Sequence, residues 1–97
     1  MNIKSVRVLG KPFTIRLVDK TGVSEDNLGA CAEDEQEISV RKNLPLETEQ
    51  DTILHEVLHA IDHSMDTKCS EKQIAGLATG LLSVLKDNPE FLKYLSK

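Results

Sequence analysis

The segment "ILHEVLHAIDH" at residues 53–63 combines three histidines with two acidic residues. On an α-helix His55 and His59 are about one turn and roughly 6 Å apart, so both imidazoles lie on one face and can reach one cation. Glu56 follows His55, which completes the arrangement H-E-x-x-H. Two neutral imidazoles suit Zn²⁺, and the adjacent carboxylate can accept a proton from water that the metal acidifies. The spacing therefore predicts a hydrolytic zinc site with Glu56 as general base.

A simpler explanation is that the histidines are ordinary surface residues, because a pattern with three fixed positions also arises by chance. At 100° per residue the apolar side chains of this segment share one arc, formed by Ile53, Leu54, Val57, Leu58, Ile61 and Met65. His55, Glu56 and His59 fall beside that arc. A well-marked amphipathic helix and the presence of third-ligand candidates favour the metal site.

Four residues compete to be the third ligand. His63 would lie about 12 Å along the helix axis from His55, and no glycine after His59 bends the chain back as in the longer metzincin motif. Asp62 could orient an imidazole or simply cap the surface. Cys69 is a minor alternative. Each of these three is a weaker candidate than Glu71.

Glu71 is the strongest candidate because of its place in the second predicted helix. The predicted core stripe of that helix is Ile74, Ala78, Leu81 and Leu85, flanked by Ala75, Leu77, Leu82 and Val84. Glu71 falls in the same arc, where an unpaired carboxylate is costly and a zinc ion would supply a partner. The alternative is that Glu71 only complements the helix dipole. The sequence favours His55, His59 and Glu71 as the ligands of Zn²⁺.

The elements that must position these residues change character near Pro45, from a period of two to one near 3.6. Strands are predicted at 3–9 and 13–18, followed by a strand or short hairpin at 30–41 that buries Ile38 and Val40. Helices are predicted at 48–65 and from Ser70 to 87, with capping boxes at Thr48/Asp51 and Ser70/Gln73, and a short helix opens at Asn88–Pro89. The expected fold is α+β: one domain (1–97) with a small N-terminal antiparallel sheet, two long helices and a short C-terminal helix.

Composition narrows the partners. The chain of 97 residues has a formal charge of −4, and no Lys/Arg cluster is interleaved with aromatic residues, so no nucleic-acid partner is expected. Lys4, Arg7 and Lys11 interrupt any apolar leader, and no window is long enough for a membrane span, so a cytoplasmic protein without a membrane partner is expected. Cys31 and Cys69 are predicted to be reduced thiols rather than a disulfide.

"TILHEVLHAIDH" followed by "SEKQIAGLATGLL" resembles the gluzincin-like metallopeptidases of the ImmA/IrrE type, and also the very small metallopeptidases encoded by bacteriophages. The resemblance covers about residues 48–95. In the ImmA/IrrE pattern E-x-x-A-N-x-F-A the glutamate is the third zinc ligand; Glu71 matches it and Ala78 matches the last alanine. The departures are Ile74, Ala75 and Leu77, which weaken the ImmA/IrrE assignment more than the zinc assignment. The phage type also accounts for the short chain and for "DNPEFLKYL" at its end.

The resemblance implies a minimal zincin-like peptidase of a bacterial or phage-infected cell. His55, His59 and Glu71 would hold zinc, and Glu56 would deprotonate a water in the open fourth position for attack on a peptide or protein substrate. The substrate would lie along an edge strand, expected at 38–41. The oxyanion stabiliser is not assigned: Tyr94 and His63 are candidates, with Tyr94 better explained as an anchor for the last helix.

Two other interpretations remain. The first is a zinc-binding module without turnover that docks another protein, for example as a phage accessory protein. The second is a helical adaptor that binds no zinc. Glu56 argues against the first, because a structural zinc site has no use for a base. The adaptor leaves Glu71 unexplained.

Overall fold

The computed structural model describes residues 3–19 and 27–97. In these ranges the elements, in chain order, are β1 (Ser5–Val8), β2 (Lys11–Val18), β3 (Gly29–Ala32), β4 (Glu37–Arg41), α1 (Leu46–Met65), α2 (Glu71–Asp87) and α3 (Pro89–Leu95). Strands come first and helices second, which confirms the predicted α+β class.

The four strands of the described ranges form one sheet in the order β1-β2-β4-β3. The β1–β2 and β3–β4 pairs are antiparallel hairpins, whereas the central β2–β4 pair is parallel, with Ile15 opposite Ile38 and Leu17 opposite Val40. β4 is therefore an interior strand, and the prediction that 38–41 is an edge was wrong. Alternation of apolar residues predicts which face of a strand is buried but not which strands pair. The edges are β1 and β3.

The core lies between one face of the sheet and α1. Its buried residues are Val8, Phe13, Ile15, Ile38, Val40 and Ala60, and Ile53, Val57 and Ile61 of α1 pack against them. Ile38 and Val40 are fully buried, as their alternation predicted. α1 crosses β3 and β4, so the helix that carries the histidines rests on the edge strand β3 and its neighbour.

α1 begins at Leu46, two residues before the predicted start. Pro45 occupies the N-cap position, Glu49 N–H donates to the Pro45 carbonyl, and no side chain caps the helix, so the capping box at Thr48/Asp51 was wrong. The predicted apolar arc also differs from the most buried positions, which are Thr52, Glu56 and Ala60, four residues apart. Met65, at the end of that arc, is exposed. The face that meets β3 was set by close packing rather than by hydrophobicity.

α2 begins as predicted. Ser70 Oγ accepts from Gln73 N–H at 3.1 Å and Gln73 Oε1 accepts from Ser70 N–H at 2.8 Å, which confirms the capping box. The helix buries only Ile74 and Ala78, and Leu81, predicted for the core stripe, is exposed.

α3 starts at Pro89 directly after Asn88, as predicted, and buries none of its residues. Among the elements described, α3 packs only on α2. No helix in the described ranges is long and apolar enough to cross a membrane.

Candidate metal centre

His55 and His59 project from α1 one turn apart, with ring centroids 4.9 Å apart and Nε2 atoms 3.1 Å apart. Glu71 is the first residue of α2. Its Oε1 lies 2.5 Å from His55 Nε2, and its Oε2 lies 2.9 Å from His59 Nε2. Two helices thus bring two imidazole nitrogens and one carboxylate to a single point.

The turn between α1 and α2 is what places Glu71 there. α1 ends at Asp66 in the left-handed conformation (φ 52°), and Lys68 is also left-handed (φ 56°). Asp62 Oδ1 accepts hydrogen bonds from Cys69 N–H at 2.8 Å and from the Thr67 hydroxyl. Asp62 therefore stabilises the turn between α1 and α2. Neither predicted role, orienting an imidazole or only capping the surface, describes these hydrogen bonds.

The hydrogen bonds from Cys69 N–H and the Thr67 hydroxyl lower the pKa of Asp62. Since the folded pKa is below the unfolded one, the stabilisation is present above the unfolded pKa and is lost as the pH falls through the folded pKa. In urea unfolding of metal-free protein, we expect Asp62→Asn to be less stable than the parent at pH 7, by a margin that shrinks towards pH 3. Asp34→Asn, in the exposed hairpin turn, is the control. A margin that stayed constant with pH would contradict this role of Asp62.

The three donors fit a zinc ion. Zinc bonds of about 2.0–2.1 Å in a tetrahedron imply ligand atoms roughly 3.3 Å apart. The observed separations of 2.5, 2.9 and 3.1 Å are shorter than this by roughly 0.8, 0.4 and 0.2 Å, and all three donor atoms lie within 4.8 Å of one another. Two histidines and one glutamate are also the donor set of catalytic sites that keep a fourth position open.

The exposure of Glu71 differs from the prediction. Glu71 was expected on the buried stripe of α2, but its side chain is 68% exposed. Its two carboxylate oxygens contact the imidazoles of His55 and His59, so Glu71 meets α1 at the metal group while most of its side chain stays exposed.

The other ligand candidates lie elsewhere. In the described residues, only His55, His59 and Glu71 converge as a possible metal group. His63 is exposed near the end of α1, and Cys69 Sγ lies 3.7 Å from the Thr67 hydroxyl. Tyr94 is exposed on α3, which does not pack on α1, so the structure does not bring it to the histidines.

Both cysteines are free thiols, as predicted. Burial, with smaller contributions from the charges of Glu33 and Glu56, raises the pKa of Cys31 to about 12. Cys31 therefore stays protonated and is neither a nucleophile nor a ready ligand.

Glu56 is buried, with 7% of its surface exposed. Burial raises the pKa of its carboxyl; His55 and His59 oppose this shift, while the charges of Glu71 and Glu33 add to it. A carboxylate with a raised pKa holds a proton more strongly and is therefore a better base.

A cleft of about 230 Å³ opens beside the metal group, lined by Asn27, Leu28, Gly29, Asp51, Thr52, His55, Glu56 and Glu71. Gly29, on edge strand β3, is needed for close packing. A Cβ added there would lie 2.6 Å from Thr52 Cγ2 and 3.2 Å from Glu56 Cγ. Gly29 was not among the predicted site residues, although a glycine beside a predicted strand is a signal of close backbone approach.

We expect Gly29→Ala to destabilise the protein by about 1–3 kcal/mol, because the added methyl must push α1 away from β3. Thr52→Ser removes the obstructing Cγ2 but keeps the hydroxyl, which donates to the Thr48 carbonyl at 2.7 Å. Urea unfolding should therefore show part of the stability recovered in Gly29→Ala/Thr52→Ser. An unchanged midpoint for Gly29→Ala alone would contradict the close approach.

The chain matches no family model, no curated protein and no solved structure. The resemblance to gluzincins therefore rests on the zinc motif and the sequence of α1 and α2. The geometry of the metal group and of Glu56 is therefore the basis for a function.

Proposed function

We propose that this protein is a zinc-dependent peptidase in which His55, His59 and Glu71 hold the metal and Glu56 is the general base. The carrying observation is the convergence of the three donor atoms within 4.8 Å beside a buried glutamate that follows His55 in the chain. A surface cluster without chemistry would not require the buried carboxylate, because burial of an ionisable group is costly. The phage-type zincin identity and a cytoplasmic location remain predictions from the sequence.

Each residue of the proposed site has a distinct role in peptide hydrolysis. A bound zinc would supply Lewis acidity, which acidifies water and polarises a carbonyl. Glu56 takes up the proton of the attacking water and delivers it to the departing amine. The raised pKa of Glu56 suits both steps, since the carboxylate must hold the proton between them. His55 and His59 contribute neutral nitrogen donors, which leaves the carboxylate of Glu71 to offset part of the metal's charge.

Edge strand β3 is the proposed substrate platform. It pairs only with β4 in the described sheet, and Gly29 at its start lines the cleft beside Glu56. An extended peptide can add to such an edge through main-chain hydrogen bonds, which would hold a peptide bond next to the metal group. β3 thus replaces the segment 38–41 as the expected platform.

The test begins with zinc bound per chain, measured by elemental analysis on tag-free protein prepared without chelator. We expect one zinc per chain for the parent, none for His55→Ala/His59→Ala, and one for the control His63→Ala, whose histidine lies on the same helix outside the metal group. Zinc-loaded parent should then cleave members of a mixed peptide library, and a chelator should abolish the cleavage. A parent that binds no zinc in modest excess would refute the proposal.

A further inference from the structure

One side of α2 is apolar although its large side chains are about half exposed to solvent. Leu77, Leu81 and Val84 are exposed, and with Gly76 and Gly80 they occupy one arc of about 140° at 100° per residue. We call these five residues the α2 face. Solvated helix surfaces normally carry polar residues, so an apolar stripe of three turns indicates a surface that another molecule covers.

The neighbouring helix α3 also exposes apolar side chains. Its exposed large side chains are Phe91, Leu92, Tyr94 and Leu95, and the helix packs only on α2 among the described elements. The exposed fractions of the seven large apolar residues lie between 40% and 67%.

The glycines of the α2 face point to a helix as the covering element. A Cβ at Gly76 or Gly80 would meet nothing within 4 Å, so the fold of the chain itself does not require either glycine. Glycine lowers helix propensity relative to alanine, and its usual advantage is close approach of another backbone. In an antiparallel pair of α2 helices that cross at Gly80, Val84 of one copy lies opposite Gly76 of the other, because both are four residues from the crossing. By symmetry, each of the two Val84 side chains then lies opposite a glycine of the other copy.

The charges at the ends of α2 fit the same arrangement. Lys72 lies in the first turn and Asp87 at the last position. An antiparallel crossing brings Lys72 of each copy towards Asp87 of the other and also opposes the two helix dipoles. A parallel pair would place like charges together.

We propose that α2 pairs antiparallel with α2 of a second copy of this chain, with α3 of each copy covering the flank, to form a two-fold homodimer. The interface does not include the zinc ligands or Glu56, so the proposal is independent of peptidase activity. The partner is a second copy because the small-to-large packing and the charges at the helix ends both match α2 itself.

The test is the mass of the full chain in solution, measured by light scattering during gel filtration at about 10 to 200 μM, so that a dissociation constant in the micromolar range is detected. We expect twice the chain mass of 10.8 kDa for the parent. Gly80→Leu should be monomeric yet folded, since its side chain has open space within the monomer. Leu46→Glu, which removes an exposed leucine of α1 outside the α2 face, is the matched control and should remain a dimer.

Charge-reversal variants distinguish this specific pairing from non-specific hydrophobic association. Lys72→Glu and Asp87→Lys should each weaken dimerisation about tenfold at low salt, and the double variant should restore it. Each change also suits the local helix dipole, so loss of the dimer would not reflect an unstable helix. A parent that is monomeric at the highest concentration, or a double variant no better than either single one, would overturn the proposal and assign the α2 face to a different partner. Zinc content, measured on the same samples, reports the metal centre separately.

Discussion

Replacing Glu56 with glutamine should abolish hydrolysis while zinc stays bound. Glutamine keeps the shape of the side chain but cannot accept the proton, and a positioned general base contributes roughly 10²–10⁴-fold to the rate. Glu56 is not among the converging donors, so the metal group should remain intact. The measurements are the initial rate on a cleaved library peptide and the zinc content of the same preparation. Glu49→Gln, on the same helix outside the cleft, is the control.

The same substitution should leave the metal-free protein as stable as the parent or more stable. Because burial raises the pKa of Glu56, the ionised carboxylate opposes folding. This penalty is complete above the folded pKa, decreases as the pH falls through that pKa, and is absent below the unfolded pKa. Glutamine carries no charge and avoids the penalty. Thermal unfolding in the presence of chelator at pH 7 should show a midpoint at or above that of the parent. A variant that cleaved at the parent's rate would refute the role of Glu56 as base.

Removing the third ligand should have the second large effect. In Glu71→Ala we expect zinc affinity to fall at least about 100-fold, since loss of even an outer-shell partner costs 10–100-fold. His55 and His59 alone would remain, and Glu71 is the residue that bridges their Nε2 atoms. Competition with a zinc chelator of known affinity measures the loss.

Glu71 also lies in the first turn of α2, where a carboxylate stabilises a helix. Glu47→Ala removes an acidic residue from the first turn of α1 and therefore reports the dipole effect alone. The control should bind zinc like the parent. Equal affinity of Glu71→Ala and the parent would exclude Glu71 as a ligand and leave only the histidine pair.

The features that depend only on the local backbone could be predicted from the sequence. Helical periodicity alone puts His55 and His59 on one face, and the short-range bonds of Ser70 and Gln73 start α2 immediately before Glu71. Alternation in β4 predicted the burial of Ile38 and Val40, because successive side chains of a strand point to opposite faces. These outcomes involve residues a few positions apart, and their geometry is the same in any fold.

The order of the strands, the burial of Glu56 and the position of Glu71 depend on contacts between segments that are far apart in the chain. The parallel pairing of β2 with β4 makes β3 an edge strand of the described sheet. Gly29 on that strand lets α1 approach so closely that Glu56 is more deeply buried than the apolar arc beside it. Glu71 reaches the histidines from an exposed position because Asp62 holds the turn before α2. No local pattern contains this information, since strand order and helix approach follow from packing between segments that are far apart in the chain.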